Sequence, residues 1–287
     1  MSEERALVDT QGKFVQVVEN GRKVNDLEWL SGRIILSNRR IVLVSGEGKR
    51  TIVLGNVQSI KNRTDVNTTV SPVSGYFSLQ VGADVHLVAP KDVDAFEAEL
   101  YGTVLDGQVV LVKHPAVEGG VVQDTEWEKG KLNVEPDEVG LGVASGQFVE
   151  VELVDVGAVD VTERTVRGSG RRVLEVEHTT DAGTSVKTYV TGGARHVSIL
   201  ESLVRQGELE NAADIDLDGT QTEVLMALYS GVSPFEIPEF VGLDIEAVEE
   251  IFDELVEAGI LAEKRVRREV KLKARGRNIA SEAMADQ

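Results

Sequence analysis

Cysteine is absent from all 287 residues, which excludes disulfides, thiolate zinc sites and a cysteine nucleophile. No apolar stretch reaches the roughly 18 residues that a membrane span needs. Met1-Ser2-Glu3-Glu4-Arg5 carries no secretory signal pattern, so a soluble, cytoplasmic protein without membrane insertion is expected. The motifs of catalysis are missing too: no G-x-x-x-x-G-K-S/T loop, no G-x-G-x-x-G between a strand and a helix, no G-x-S-x-G elbow. His86, His114, His178 and His196 stand apart, without H-x-x-x-H spacing, and read as surface or strand residues rather than metal ligands. Asp214-Ile215-Asp216-Leu217-Asp218-Gly219 begins like a calcium loop, but the twelfth position, where such a loop needs a bidentate Glu, is Leu225. An acidic linker accounts for the same letters. Neither an enzyme nor a metal or cofactor is expected.

Positive charge is scarce. Thirty Lys and Arg face 49 Asp and Glu, a net charge of −19, and only 12 of the bases are Lys. Acids spread along the whole chain fit a surface working in high salt, where screening is short, about 3 Å at 1 M; a basic partner is the other reading. Either way such a chain repels a phosphate backbone unless its cations are concentrated somewhere.

What is present is a repeat. Glu28-Trp29-Leu30-Ser31-Gly32-Arg33-Ile34 recurs as Glu126-Trp127-Glu128-Lys129-Gly130-Lys131-Leu132, 98 residues on, and these hold the only two Trp residues. Each is followed by a polar break, an apolar run (Ile41 to Val44; Val139 to Val143), a glycine turn and a Val-rich stretch. Short alternating Val-rich segments between turn signals read as strands. Each copy closes with a helical segment: Asp92 to Tyr101, with Val93, Phe96 and Leu100 on one face, and Ala194 to Gln206, with Val197, Leu200, Leu203 and Val204. About seven strands and a closing helix is the pattern of a pleckstrin-homology-like split β-barrel, by analogy of fold. The expected class is α+β, with such domains over 1–104 and 105–210.

Beyond them the period becomes helical. Thr220-Gln221-Thr222-Glu223 reads as a capping box, with Val224, Leu225, Leu228 and Tyr229 as the apolar face of the helix it opens. A short helix over Pro234 to Phe240 ends at Gly242. A third is capped by Asp244 and runs to Ala258 with Val248, Ile251, Phe252 and Leu255 inward. Ile260 to Ala262 and Val266 to Leu272 read as strands. Together these predict a winged helix domain over 211–275 and a tail helix over 276–287. A winged-helix DNA-binding transcription regulator is the alternative function this motif raises. Its third helix speaks against that, with seven acids from Asp244 to Glu257 and no base, and offers no Arg, Asn or Gln for base edges.

The sign then reverses. Residues 201–263 hold 17 acids and one base, whereas 264–277 hold eight bases and one acid. This strip reads as a wing neutralising its neighbours, as a docking surface for an acidic partner, or as a contact to nucleic acid. Past it, Ile279, Ala280, Ala283 and Met284 fall at helical spacing, suited to a partner's groove or to capping their own domain. Arg33, Arg39, Arg40, Lys49 and Arg50 form a second cation group, which would suit an anionic lipid.

Glu28 to Arg40, Thr222-Glu223-Val224-Leu225-Met226-Ala227-Leu228-Tyr229-Ser230-Gly231-Val232 and Arg275-Gly276-Arg277-Asn278-Ile279-Ala280-Ser281-Glu282-Ala283 together resemble the archaeal chemotaxis CheF family, in a haloarchaeal form, over essentially the full length. The resemblance implies a non-enzymatic adaptor, a homodimer of elongated shape. It would bind the phosphorylated response regulator CheY and relay its state to the switch complex at the cytoplasmic face of the archaellum motor. It also implies that the C-terminal tail holds the regulator. Ile279, Ala280, Ala283 and Met284 would pack on the activated face. Arg275 and Arg277, with Arg267 and Lys271, would pair with its carboxylates. The β domains are left as the side facing the motor.

Overall fold

The computed structural model describes residues 3–25, 27–61, 73, 75–180, 183–211, 217–258 and 260–261. It has an α+β architecture in which every strand pairing is antiparallel. Two compact units divide the chain, 1–213 and 214–287.

The first unit holds two sheets. One is made of β1 (Ala6–Glu19), β2 (Arg22–Lys23), β3 (Leu30–Ser37), β4 (Arg40–Ser45), β5 (Gly48–Val53), β6 (Val57–Lys61), β7 (Phe77–Val81) and β8 (Asp84–Pro90). Its order is β5-β4-β3-β1-β8-β7-β6, with β2 on β1. The other is made of β9 (Val109–Glu118), β10 (Val121–Val122), β11 (Glu128–Val134), β12 (Glu138–Val143), β13 (Phe148–Glu152), β14 (Val156–Val166), β15 (Ser169–Thr179) and β16 (Ser185–Thr191). Its order, β13-β12-β11-β9-β16-β15-β14 with β10 on β9, repeats the first strand for strand. The repeated Trp packs with a tyrosine in both, Trp29 on Tyr76 just before β7 at 5.8 Å and Trp127 on Tyr189 of β16 at 6.5 Å between ring centres, in small clusters separate from the main core.

Each sheet is followed by a helix longer than its expected span. Asp92 caps α1 (Val93–Leu105) by accepting from Ala95 N at 3.1 Å. The helix passes Tyr101 because Val104 and Leu105, four residues beyond Leu100 and Tyr101, extend its buried stripe by a turn. Likewise α2 (Ala194–Asn211) runs past Gln206, and Asn211 Nδ2 holds its last turn by donating to Leu153 O and Val156 O, both at 2.9 Å.

The sheets share one interior. A single hydrophobic cluster includes Phe77 and Leu79 of the first, Leu132 and Leu141 of the second, and buried faces of both helices. Arg195 of α2 reaches back to the first sheet and donates from Nε to Val57 O and from Nη2 to Leu54 O, each at 2.6 Å. Charged donors on carbonyls are worth about 1.5–3 kcal/mol each. Arg195→Met should therefore lower unfolding stability by about 2 kcal/mol in denaturant titration; an unchanged midpoint would mean that packing alone holds the joint.

In the second unit, α3 (Gly219–Tyr229), α4 (Ile237–Val241) and α5 (Ile245–Glu257) enclose Val224, Ala227, Ile237, Val248 and Leu255. Four details differ from the sequence reading. The capping box belongs to Asp218 and Gln221, not Thr220 and Glu223: the Asp218 carboxylate accepts from Gln221 N at 2.7 Å, and Gln221 Oε1 accepts from Asp218 N at 3.0 Å. Asp is a stronger cap than Thr and starts the helix sooner. Tyr229 is 95% exposed rather than part of the apolar face, because the buried stripe ends with Ala227 and its flanking leucines. The segment from Ser233 to Glu236 is a turn, so α4 begins at Ile237. Gly242 ends α4 with φ 73°, and Asp244 caps α5 through Ala247 N at 2.8 Å. Ile260 and Leu261 bond back to Leu255 O, so these two residues of the expected strand close the helix instead. Val266 to Leu272 and the tail helix lie outside the described residues. No described helix is long and apolar enough to cross a membrane.

Candidate partner-binding surfaces

Arg267, Lys271, Arg275, Arg277, Ile279, Ala280, Ala283 and Met284 all lie outside the described residues. What precedes them is described. From Leu217 to Ala258 there are eleven acids and no Lys, Arg or His. On α5 the buried positions Val248 and Leu255 fix the inner face, leaving Glu246, Glu249, Glu250, Asp253, Glu254 and Glu257 in solvent. Apolar groups share that solvent. Met226 is 64% exposed, Phe240 64% and Ile245 61%. A surface of carboxylates and large apolar groups suits a protein partner and repels nucleic acid.

The cation group of the first sheet divides in two. Asp9 on β1 holds Arg33 in a forked pair, with Nε to Oδ1 at 2.6 Å and Nη2 to Oδ2. Glu4 holds Arg40 in the same way, with Nε to Oε1 at 2.7 Å, and also accepts from Ser37 Oγ at 2.8 Å. These contacts, the Arg40 bond first and Ser37 next, pull the Glu4 pKa down to about 2. Arg33 does the same in direction to Asp9. Two of the five cations are thus committed within the fold, which weakens the field that an anionic lipid would need. Lys49 and Arg50 have no ion-pair partner among the described residues.

The histidines are less isolated than their spacing suggests. His114 Nδ1 and His178 Nε2 both meet Thr188 Oγ1, at 2.7 and 2.9 Å, and their rings stack with centres 6.0 Å apart. His178 is 2% exposed and Thr188 fully buried. Burial, then the neighbouring His114, pushes the His178 pKa down to about 4 against a weaker raising bond to the Thr179 backbone. In the first sheet the position equivalent to Thr188 is His86, each lying two residues before the valine paired to Phe14 or Val112. His86 is buried as well and held at about 4, by burial and then by Arg50. Adjacent register in β9 and β16 joins residues 74 apart, which local spacing could not reveal. No group of three or more metal-ligating side chains gathers among the described residues.

A family model described as archaeal chemotaxis signal transduction system protein F matches residues 6–210, and one described as a domain of unknown function matches 216–285. The taxis protein CheF1 of Halobacterium salinarum is 47% identical over 290 residues, covering 100% of both chains. The taxis protein CheF2 of the same organism is 25% identical over 250 residues, covering 83% of this chain and 85% of its own.

Proposed function

As the chain belongs to the archaeal CheF family of chemotaxis signal-transduction proteins, we propose that it acts as a non-enzymatic adaptor between phosphorylated CheY and the switch complex at the cytoplasmic face of the archaellum motor. In this reading the two sheets are pleckstrin-homology-like split barrels over 1–104 and 105–210. A winged helix follows over 211–275 and a tail helix over 276–287, and the chain is a homodimer.

The observation that carries the reading is the charge reversal. Eleven acids without a base are followed by eight bases within 264–277, directly before the apolar spacing of Ile279, Ala280, Ala283 and Met284. A response regulator presents a different output face once phosphorylated, so the adaptor need only prefer one of two states; a tenfold preference is about 1.4 kcal/mol of differential contact. Arg267, Lys271, Arg275 and Arg277 set the register on carboxylates of that face. In high salt, exposed pairs contribute little, and the four apolar residues carry affinity. DNA binding finds no support in the acidic face of α5.

The test is the affinity of the cognate CheY for the full chain at native salt, with and without beryllofluoride as phosphoryl mimic. Binding is expected only with the mimic, and is expected to be lost on deleting 264–287 or on Ile279→Asp with the thermal midpoint unchanged. Equal binding by Ile279→Asp would remove the tail from the site, and absence of binding in either state would end the adaptor reading.

A further inference from the structure

The duplicated sheets serve as controls for each other. In the first, Leu43 pairs with Arg50 across β4 and β5; in the second, the equivalent pair is Leu141 with Val149 across β12 and β13. Val149 is 3% exposed and completes the inner wall of its sheet. Arg50 stands in that place in the first sheet. There a pocket of about 350 Å3 opens, walled by Phe14, Leu30 and Leu43, lined from the edge strand by Lys49 and Arg50, and bordered by Glu28 and Glu47. Its size is at the small end of the range for ligand pockets, about 300–1,000 Å3.

Three further observations bear on what enters it. First, β5 is the end strand of its sheet, so the outer row of its backbone N–H and C=O groups has no partner strand among the described residues. Second, Lys49 and Arg50 have no ion-pair partner there, unlike Arg33 and Arg40. Third, the matching strand of the second sheet carries Glu150 and Glu152 in exposed positions, so only the first edge offers cations. An edge lysine can merely deter aggregation. A deterrent charge points away from the sheet, however, whereas Arg50 holds an inward register position, and its charge helps lower the pKa of the buried His86.

We propose that β5 and the adjoining pocket form a docking site for an extended acidic segment of another protein. The segment adds to the sheet edge, places carboxylates on Lys49 and Arg50, and inserts a large apolar side chain between Phe14, Leu30 and Leu43. Backbone pairing supplies affinity and the pocket supplies selectivity, as in other cases of strand addition. A multivalent phosphate fits less well, because it would leave the apolar wall of Phe14, Leu30 and Leu43 uncovered. The site is built from residues of the first unit alone and does not depend on the regulator reading.

The probe is a fluorescein-labelled decapeptide of Phe and Val flanking adjacent Glu residues, titrated into the full chain at about 0.1 M KCl, where exposed charges are less screened, and followed by anisotropy. Saturable binding is expected. Arg50→Val, which copies the closed second sheet, and Lys49→Glu should each weaken it about tenfold or more while the thermal midpoint is kept. The same peptide with Gln for Glu should also bind about tenfold more weakly. Deletion of 264–287 should leave the peptide affinity unchanged, which separates this site from the regulator site. The proposal is overturned by absence of saturable binding, by wild-type affinity in both variants, by loss of the peptide on tail deletion, or by displacement with anionic vesicles or inorganic polyphosphate at concentrations below those of unlabelled peptide.

Discussion

Acidification from pH 6.5 towards 4 should cost the first unit on the order of 5 kcal/mol of stability. The pKa values of His86 and His178 fall from 6.5 to about 4 on folding, and each unit is worth about 1.36 kcal/mol. The sign follows from which state binds protons. Between pH 4 and 6.5 the unfolded chain protonates both rings while the folded chain does not, so stability is full above 6.5 and is lost as pH falls towards the folded values. Burial is the first cause at both rings, and at His178 the contact with Thr188 shows what protonation would disrupt. The Thr188 hydroxyl can donate to one imidazole while accepting from the other; if a proton made both rings donors, the buried hydroxyl hydrogen would have no acceptor. The acid pairs titrate elsewhere, since Glu4 is held near 2 and loses its contribution only between its unfolded value of 4.5 and that figure. Relief of repulsion within a chain of net charge −19 acts in the opposite direction. Denaturant unfolding at constant salt from pH 7 to 5 measures the balance. A falling midpoint, with a shallower slope in His86→Gln or His178→Gln, is expected; a flat or rising profile would mean that the rings protonate in the fold.

The limits of the sequence reading have a common physical origin. The repeat around Trp29 and Trp127 was legible because it is local, and the strand order of the two sheets matches it. The role of the tryptophans was not, because their partners Tyr76 and Tyr189 are distant in sequence. The same holds for the arginines. Arg33 and Arg40 read as free cations, but Asp9 and Glu4 are brought to them by the β1–β3 pairing and the segment before β1. Helix caps failed more subtly, since Asp218 and Thr220 are both competent and the helix takes the one with the reciprocal Gln221 bond. Among candidate site residues, the charge strip and the tail are singled out by composition alone and lie outside the described residues. The pocket beside β5 had only one signal, Arg50 at an inward position of an alternating strand, and that becomes visible only once Val149 is known to be its counterpart.

Gly32→Ala should cost more than about 3 kcal/mol, and the equivalent change in the second sheet, Gly130→Ala, about 1 kcal/mol. In a strand interior, replacing Gly by Ala ordinarily gains about 0.5–1 kcal/mol, so the surroundings decide the sign. A Cβ on Gly32 would lie 2.0 Å from Val44 O, 2.9 Å from Val44 C and 3.2 Å from Ser45 Cα. All three are backbone atoms of β4, and none can rotate away. On Gly130 the nearest atom would be Val112 Cγ2 at 2.7 Å, a methyl group, with backbone no closer than Gly142 O at 3.8 Å. A rotamer change can relieve that contact. The cross-strand partners sharpen the difference, because Gly32 faces Gly12 on β1 while Gly130 faces Val110 on β9, and a Cβ on Gly12 would itself lie 2.3 Å from Ala89 O. The first sheet is therefore closed by backbone contact where the second is closed by side chains. Pushing β4 outward also carries β5 with it, so Gly32→Ala is expected to lose the acidic peptide along with its stability, whereas Gly130→Ala keeps it. Equal midpoints for the two variants would show that β4 yields as readily as a methyl group, and would remove the rigid wall on which the pocket beside β5 depends.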